Sequence, residues 1–168
     1  MAVSKAKIGD VYVCKVGDES RYFQYVCDDS SQLGSQVVAV FRRKFSEGEE
    51  VNFENITSLE IEFFAHVFIA FGLKMKSWSK VTNVPAIGFG EVLFRSTNDY
   101  GKPEVAESDD WWIWTVNGPK KHVGSLVDEL RKSFIGVVMA PPNIVARLTT
   151  GKYSYVYPSP AGDSPYWE

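Results

Sequence analysis

The sequence has little of what metal sites, disulfide frameworks and acid–base catalysis most often need. Its 168 residues include two cysteines and two histidines, and neither a CxxC nor an HExxH spacing occurs. Cys14 and Cys27 lie in separate apolar runs, which is typical of buried thiols. A GxSxG motif is absent, and Gly88-Phe89-Gly90 is not followed by a helix that could bind a dinucleotide phosphate. The sequence therefore predicts no metal ion, no cofactor and no complete catalytic group.

Long apolar runs and an excess of positive charge are also missing. No segment approaches the roughly 18 apolar residues of a membrane-spanning helix, and the first ten residues lack the apolar core of a signal peptide. The chain has 18 basic and 21 acidic residues, a formal charge of −3. Binding to a phosphate backbone needs a concentrated positive surface. We therefore expect a cytoplasmic protein that binds neither nucleic acid nor a membrane.

Aromatic residues are abundant, with 11 Phe, 8 Tyr and 5 Trp. Most lie in short apolar runs bounded by polar turns, which is typical of β-strands. The first three runs predict an antiparallel meander, and Asn117-Gly118 predicts the turn of a later hairpin. Strands are expected at 10–16, 21–27, 35–43, 78–82, 89–95, 111–116, 121–123 and 135–139.

Helices are expected mainly in the second half of the chain. Ser125 and Asp128 resemble a capping box, which predicts a helix over 125–133. Pro141-Pro142 before an apolar stripe predicts a second helix over 142–149. The apolar segment 56–71 fits a strand or a helix, and we favour a strand that runs into a short helical turn near 70–75.

These elements predict an α+β fold with a twisted, mostly antiparallel sheet, open or partly closed, and two or three short helices. We expect one domain over 1–152. The remaining residues, 153–168, contain three closely spaced prolines and predict an extended tail on the surface. The loop 96–109 is long and polar, as functional or mobile loops often are.

Histidine is the residue type that most often transfers protons in enzymes. His66 lies in an apolar run, where a hydrogen-bonded structural role is expected. His122 follows the strand 111–116, and Asp109 and Asp110 precede that strand. A hairpin would therefore bring the imidazole and a carboxylate together. A small hydrolase-like enzyme that uses His122 is therefore an alternative function.

Three tryptophans lie close together in the strand 111–116. Alternation sends Trp112 and Trp114 to one face and Trp111 to the other. We expect Trp112 and Trp114 to fill the core, with Trp111 packed under a helix. A carbohydrate- or nucleic-acid-binding module that uses exposed aromatics is a further alternative.

Five segments follow one another over about residues 7–150: Ile8-Gly9-Asp10-Val11-Tyr12, Arg21-Tyr22-Phe23-Gln24-Tyr25-Val26, Trp78-Ser79-Lys80-Val81, Trp111-Trp112-Ile113-Trp114 and Val137-Val138-Met139-Ala140-Pro141-Pro142. In this order they resemble the immunity protein 26 family of bacterial polymorphic toxin systems. The resemblance implies an α+β fold and a protein without catalytic activity. It also implies a partner, since such a protein binds and neutralises a cognate toxin protein.

An inhibitor of a basic toxin would present acidic residues around an aromatic anchor. Acidic side chains are clustered in three parts of this sequence, and Trp111 follows the last cluster. Ordinary solvated loops would also account for these clusters. The candidate partner-binding residues are Asp28, Asp29, Glu47, Glu49, Glu50, Glu107, Asp109, Asp110 and Trp111.

Overall fold

The computed structural model describes residues 5–162, which form an α+β fold as predicted. Its strands are β1 (Asp10–Val16), β2 (Glu19–Asp29), β3 (Ser35–Phe41), β4 (Phe45–Ser46), β5 (Ile61–Val67), β6 (Ser79–Asn83), β7 (Leu93–Thr97), β8 (Glu107–Ser108), β9 (Trp111–Thr115), β10 (Lys121–Gly124), β11 (Phe134–Ile135), β12 (Val138–Met139) and β13 (Ser159–Pro160). Its helices are α1 (Ile69–Lys74), α2 (Pro141–Thr150) and the 3₁₀ helices Phe53–Ser58 and Asp128–Lys132. None of the helices in this range is both long and apolar enough to cross a bilayer.

The strands form two main sheets and one small pair. The larger sheet has the order β12-β5-β3-β2-β1-β6, with β4 paired to β2, and the smaller sheet has the order β10-β9-β7-β11. β12 runs parallel to β5, β11 to β7, and β13 to β8, whereas the other pairs are antiparallel. The predicted meander β1-β2-β3 and the hairpin β9-β10 are confirmed. Neither sheet closes into a barrel.

Both faces of the larger sheet are buried. On one face, Phe23, Val40 and Phe63 belong to a cluster that includes Ile144 and Leu148 of α2. On the other face, the clustered residues are Val26, Ala39 and Phe64 together with Phe94 and Trp114 of the smaller sheet. A strand covered on both faces needs apolar residues at successive positions rather than at alternate ones. This explains the continuous apolar run Val37–Phe41 in β3.

Two predicted elements in the second half are wrong. The segment 125–133 forms only the 3₁₀ helix Asp128–Lys132, because Asp128 has a φ of 46°, a left-handed conformation that an α-helix does not accommodate. The predicted strand 135–139 is divided at Gly136 into β11 and β12, which join different sheets. A Cβ atom on Gly136 would lie 2.0 Å from the Trp114 ring, so the chain crosses between the sheets where only glycine fits.

Other elements differ from prediction mainly in their limits. The predicted strand 89–95 is shifted to Leu93–Thr97, whereas the helix over 142–149 is confirmed as α2. The ambiguous segment 56–71 contains the strand Ile61–Val67 followed by α1, in the order expected.

The prediction of a surface tail is wrong for its first part. Tyr153 and Tyr157 are buried in the apolar cluster that also contains Ile144 and Leu148 of α2. Ser159–Pro160 pairs with Glu107–Ser108. Aromatic side chains at alternate positions let an extended, proline-rich segment pack against the core, which the proline spacing alone does not show. Residues 163–168 of the predicted tail lie outside the described residues.

The cysteines are free thiols within apolar surroundings. Cys14 is buried and Cys27 is partly buried. Burial raises the pKa of Cys14 to about 11 and that of Cys27 to about 12. Both side chains therefore stay protonated at neutral pH.

Candidate functional site

The segment Asn98–Asp110 between β7 and β9, here called the acidic loop, is a strongly acidic part of the described surface. It carries five carboxylates and one lysine, a formal charge of −4, whereas the whole chain has −3. The rest of the protein therefore has a formal charge of +1, although the segment 47–60 carries five further carboxylates and no basic residue. Its acidic residues are Asp99, Glu104, Glu107, Asp109 and Asp110.

Side-chain hydrogen bonds around Ser108 hold the acidic loop in one conformation. The Ser108 hydroxyl donates to Asp99 Oδ2 at 2.8 Å, lies 2.9 Å from Thr97 Oγ1, and accepts from the Asp110 N–H at 3.1 Å. The Trp111 indole N–H donates to the Ser108 carbonyl at 2.7 Å. One serine thus connects both ends of the loop to the strands that bound it. A loop ordered in this way loses little entropy when it binds a partner.

Backbone and charge contacts add to this order. Ser159 N–H donates to the Ala106 carbonyl at 3.0 Å, and Ala161 N–H donates to the Ser108 carbonyl at 3.0 Å, so β13 fixes the β8 part of the loop. Lys102 Nζ lies 2.8 Å from Asp99 Oδ1. The hydrogen bonds from Lys102 and Ser108 lower the pKa of Asp99 below 3.8. Asp99 is therefore ionised at neutral pH.

His122 of β10 contacts the end of the acidic loop. Its Nε2 atom lies 2.6 Å from Asp110 Oδ1, and Asn98 Nδ2 donates to Asp110 Oδ2 at 3.2 Å. The imidazole also packs against Trp112, which is opposite it in the hairpin, with ring centroids 4.8 Å apart. Both partners are open to solvent, with exposed side-chain fractions of 49% for His122 and 41% for Asp110. The hairpin thus brings together the imidazole and carboxylate that the sequence indicated.

This imidazole–carboxylate pair is only part of a catalytic group, because it has no nucleophile beside it. A nucleophilic mechanism needs a hydroxyl or thiol within hydrogen-bonding distance of the histidine. No such group hydrogen-bonds to His122 among residues 5–162. The same part of the chain contains no cluster of three or more His, Cys, Asp or Glu side chains placed to hold a metal ion.

The predicted partner-binding residues do not form one surface. Glu107, Asp109 and Asp110 belong to the acidic loop, whereas Asp28 accepts a hydrogen bond through its carbonyl from Asn117, at the opposite end of β9. At about 3.4 Å per residue, β9 and the turn after it place Asp28 roughly 20 Å from the carboxylates of the acidic loop. Glu47, Glu49 and Glu50 follow β4 beside the start of β2, about 30 Å along β2 from Asp28.

Two of these candidates are wrong because they are buried. Trp111 has no exposed surface and packs against Tyr157, with ring centroids 6.2 Å apart. Asp29 also has no exposed surface. Neither side chain can touch a partner in this fold. Of the remaining candidates, Asp28, Glu47, Glu49, Glu50, Glu107 and Asp109 are exposed, and Asp110 is partly exposed.

Asp29 instead belongs to a buried polar cluster that joins the two sheets. Its Oδ2 atom lies 3.0 Å from His66 Nε2 of β5 and accepts from the Trp114 indole N–H at 3.0 Å. Its Oδ1 atom accepts from the backbone N–H groups of Asn117 at 3.2 Å and Gln32 at 3.3 Å. Four donors therefore satisfy one buried carboxylate. The structural role expected for His66 is consistent with this geometry.

The tryptophans follow the predicted alternation in part, since Trp111 packs in the cluster that contains α2 and Trp114 in the other cluster. Trp111 and Trp114 are buried, whereas Trp112 is partly exposed beside His122. The prediction that Trp112 and Trp114 fill the core together is wrong. Trp114 is buried between the two sheets, whereas Trp112 packs against the exposed His122. Trp111 belongs to the cluster of α2 and Tyr157, and Trp114 to the cluster between the sheets.

The sequence-based choice of residues missed Asp99 and Glu104 in the acidic loop, and the ordering role of Ser108. Counting charge along 98–110 would have found the two carboxylates. The role of Ser108 had no signal in the sequence, since it depends on hydrogen bonds to Thr97 and Asp99 that only the folded loop makes. Comparison of this chain with known protein families, curated proteins and solved structures gives no match.

Proposed function

We propose that this protein is a non-catalytic immunity-type protein that binds and neutralises a cognate bacterial toxin domain in the cytoplasm. The observation that carries the proposal is the acidic loop, with its formal charge of −4 and its conformation fixed through Ser108. The resemblance of the segment order to the immunity protein 26 family supports the same function.

The expected partner is a basic protein surface. Ordered carboxylates attract such a surface over a distance and orient it as it approaches, which mainly raises the association rate. Toxin domains that cleave nucleic acids carry basic surfaces because they bind phosphates. An acidic loop could therefore cover the surface with which such a toxin binds its substrate.

A hydrolase-like enzyme is the second candidate function. The specific observation in its favour is the 2.6 Å contact between His122 Nε2 and Asp110 Oδ1, an arrangement that can orient an imidazole as a general base. We favour binding because the same Asp110 also belongs to the hydrogen-bonded acidic loop.

Co-expression tests the proposed function directly. The full chain is expressed with any toxin domain that its genome neighbourhood encodes, and host survival is measured beside complex formation by size-exclusion chromatography. We expect survival and a stable complex. Growth arrest with no complex would contradict the proposal, and rescue without a complex would favour an enzyme.

A further inference from the structure

A second charged site is a cavity of about 370 Å³ that opens beside the last turn of α2. Four cationic side chains and one carboxylate line it, and they come from β2, β5, α2 and the segment between β3 and β4. None of them belongs to the acidic loop. These charged residues are Arg21, Arg42, Lys44, Glu62 and Arg147.

Arg21 forms the fixed wall of this cavity. Its guanidinium group is paired with Glu62 and donates to the carbonyl oxygens of Phe41 at 3.2 Å and Leu148 at 3.3 Å. The side chain is only 3% exposed. Because Leu148 lies at the end of α2, Arg21 also offsets the negative end of that helix. Its charge is therefore already balanced within the protein.

Arg147 is different, because no acceptor in the described chain takes a hydrogen bond from its guanidinium group. Its Cζ atom lies 3.8 Å from the ring centroid of Phe63 and 4.7 Å from that of Tyr153. The Nε atom is buried and has no hydrogen-bond partner. The two rings hold the guanidinium plane in place while its donors stay unused. A fixed arginine with free donors matches the geometry of a phosphate or carboxylate oxygen pair.

The other two cations can be redirected toward a ligand. Arg42 pairs with Glu60 at 2.9 Å and Lys44 with Glu19 at 3.2 Å, and all four side chains are at least 43% exposed. Exposed ion pairs of this kind are weak and exchange readily with other charges. One unpaired guanidinium and two exchangeable cations suit a ligand of charge −2 better than a single carboxylate.

We propose that this cavity binds a small phosphate-bearing anion, with its phosphoryl oxygens on the Arg147 guanidinium and with Lys44 and Arg42 as further cations. The volume accommodates a phosphate together with a group of the size of a sugar. The proposal does not depend on the function of the acidic loop.

Calorimetric titration at constant ionic strength tests the site with three probes. Inorganic phosphate and ribose 5-phosphate should bind saturably at millimolar concentrations, and uncharged ribose should not. Binding of phosphate alone would identify a site for the free ion, whereas tighter binding of ribose 5-phosphate would identify a sugar phosphate. No saturable binding of either phosphate would overturn the proposal, as would preferential binding of a glutamate-rich peptide.

Variants locate the binding within the cavity. Arg147→Ala should weaken phosphate binding by about tenfold, the effect of losing one charge-assisted hydrogen-bonding group. Arg43→Ala is the matched control, because Arg43 follows Arg42 directly but pairs with Glu49 outside this cavity. Arg147→Lys keeps a cation on the Phe63 ring but loses the paired guanidinium donors, so it should also weaken phosphate binding, and it tests the site if Arg147→Ala does not fold. Phosphate affinity unchanged in Arg147→Lys, or reduced equally in Arg43→Ala, would show that Arg147 is not the anchor.

Discussion

His66 Nε2 lies 3.0 Å from Asp29 Oδ2, and neither side chain has any exposed surface. Burial lowers the pKa of His66 below 6.5, although the Asp29 carboxylate partly opposes this change. For Asp29, burial would raise the pKa, but the hydrogen bonds from His66, Trp114 and Asn117 outweigh it and lower the pKa below 3.8. A neutral imidazole that donates from Nε2 to an ionised carboxylate is therefore consistent with the lowered pKa of His66 and with the lowered pKa of Asp29. The unprotonated Nδ1 atom has no hydrogen to donate and needs no acceptor, and among the described residues it has no hydrogen-bond partner.

This pair predicts that acidification weakens the fold below about pH 6.5. In that range the unfolded His66 takes up a proton that the folded protein excludes, so the free energy of unfolding falls as the pH falls. The slope from one such group approaches about 1.4 kcal/mol per pH unit. Denaturant unfolding at several pH values between 7 and 5 measures this slope.

His66→Gln isolates this effect, because the amide keeps a donor for Asp29 but does not titrate. We expect the loss of stability between pH 7 and pH 5 to be smaller in His66→Gln than in the wild type. Equal pH dependence in His66→Gln and the wild type would rule out His66 as its source. Below pH 3.8, protonation of Asp29 should destabilise every variant further.

Gly136 should not tolerate a side chain. An added Cβ atom would lie 2.0 Å from Trp114 Cη2 and 3.0 Å from the Arg95 carbonyl oxygen. We expect Gly136→Ala to lower the free energy of unfolding by about 1–3 kcal/mol or more, as overpacking does. Gly88→Ala is the control, since no atom lies within 4 Å of its added Cβ. Equal unfolding midpoints for the two variants would contradict the close approach at Gly136.

Tyr157 should stabilise the domain although it lies in a proline-rich segment. Its side chain is 4% exposed and packs against Trp111. Tyr157→Ala should cost about 3 kcal/mol or more, as other large-to-small aromatic substitutions in cores do. Val156→Ala, at a neighbour that is 52% exposed, should change little. A thermal melt of Tyr157→Ala that overlays the wild type would show that the segment contributes nothing to the core.

The proposed function predicts how the acidic loop responds to charge reversal. Asp109→Lys combined with Asp110→Lys should slow association with the basic toxin domain by about tenfold and reduce its dependence on salt. Surface plasmon resonance at several salt concentrations measures both effects. The paired control reverses Glu54 and Glu91, two exposed carboxylates outside the loop, and should leave the association rate within about twofold of the wild type.

His122→Ala separates binding from catalysis. If the protein acts by binding, the variant should protect the host almost as well as the wild type. Loss of a general base would instead reduce a catalysed rate by about 10²–10⁴-fold. A folded His122→Ala protein without protective activity, together with normal activity of the Asp109/Asp110 reversal, would favour the enzyme.

The sequence by itself determined the local elements and the fold class. Short aromatic and β-branched runs between polar turns specify the β1-β2-β3 meander and the β9-β10 hairpin, because these pairings join neighbouring segments. Pro141-Pro142 and the apolar stripe that follows likewise specify α2. The closeness of His122 and Asp110 was predictable for the same reason, since both residues flank one hairpin.

Tertiary structure alone decided which polar residues are buried and which charges meet. Asp28 and Asp29 are neighbours with the same side chain, yet only Asp29 lies between the two sheets, where His66 and Trp114 can bond it. Arg21 and Arg147 line one cavity although 126 positions separate them in the chain. Local patterns carry no information about contacts between distant segments, because those contacts depend on how the sheets pack after each has formed.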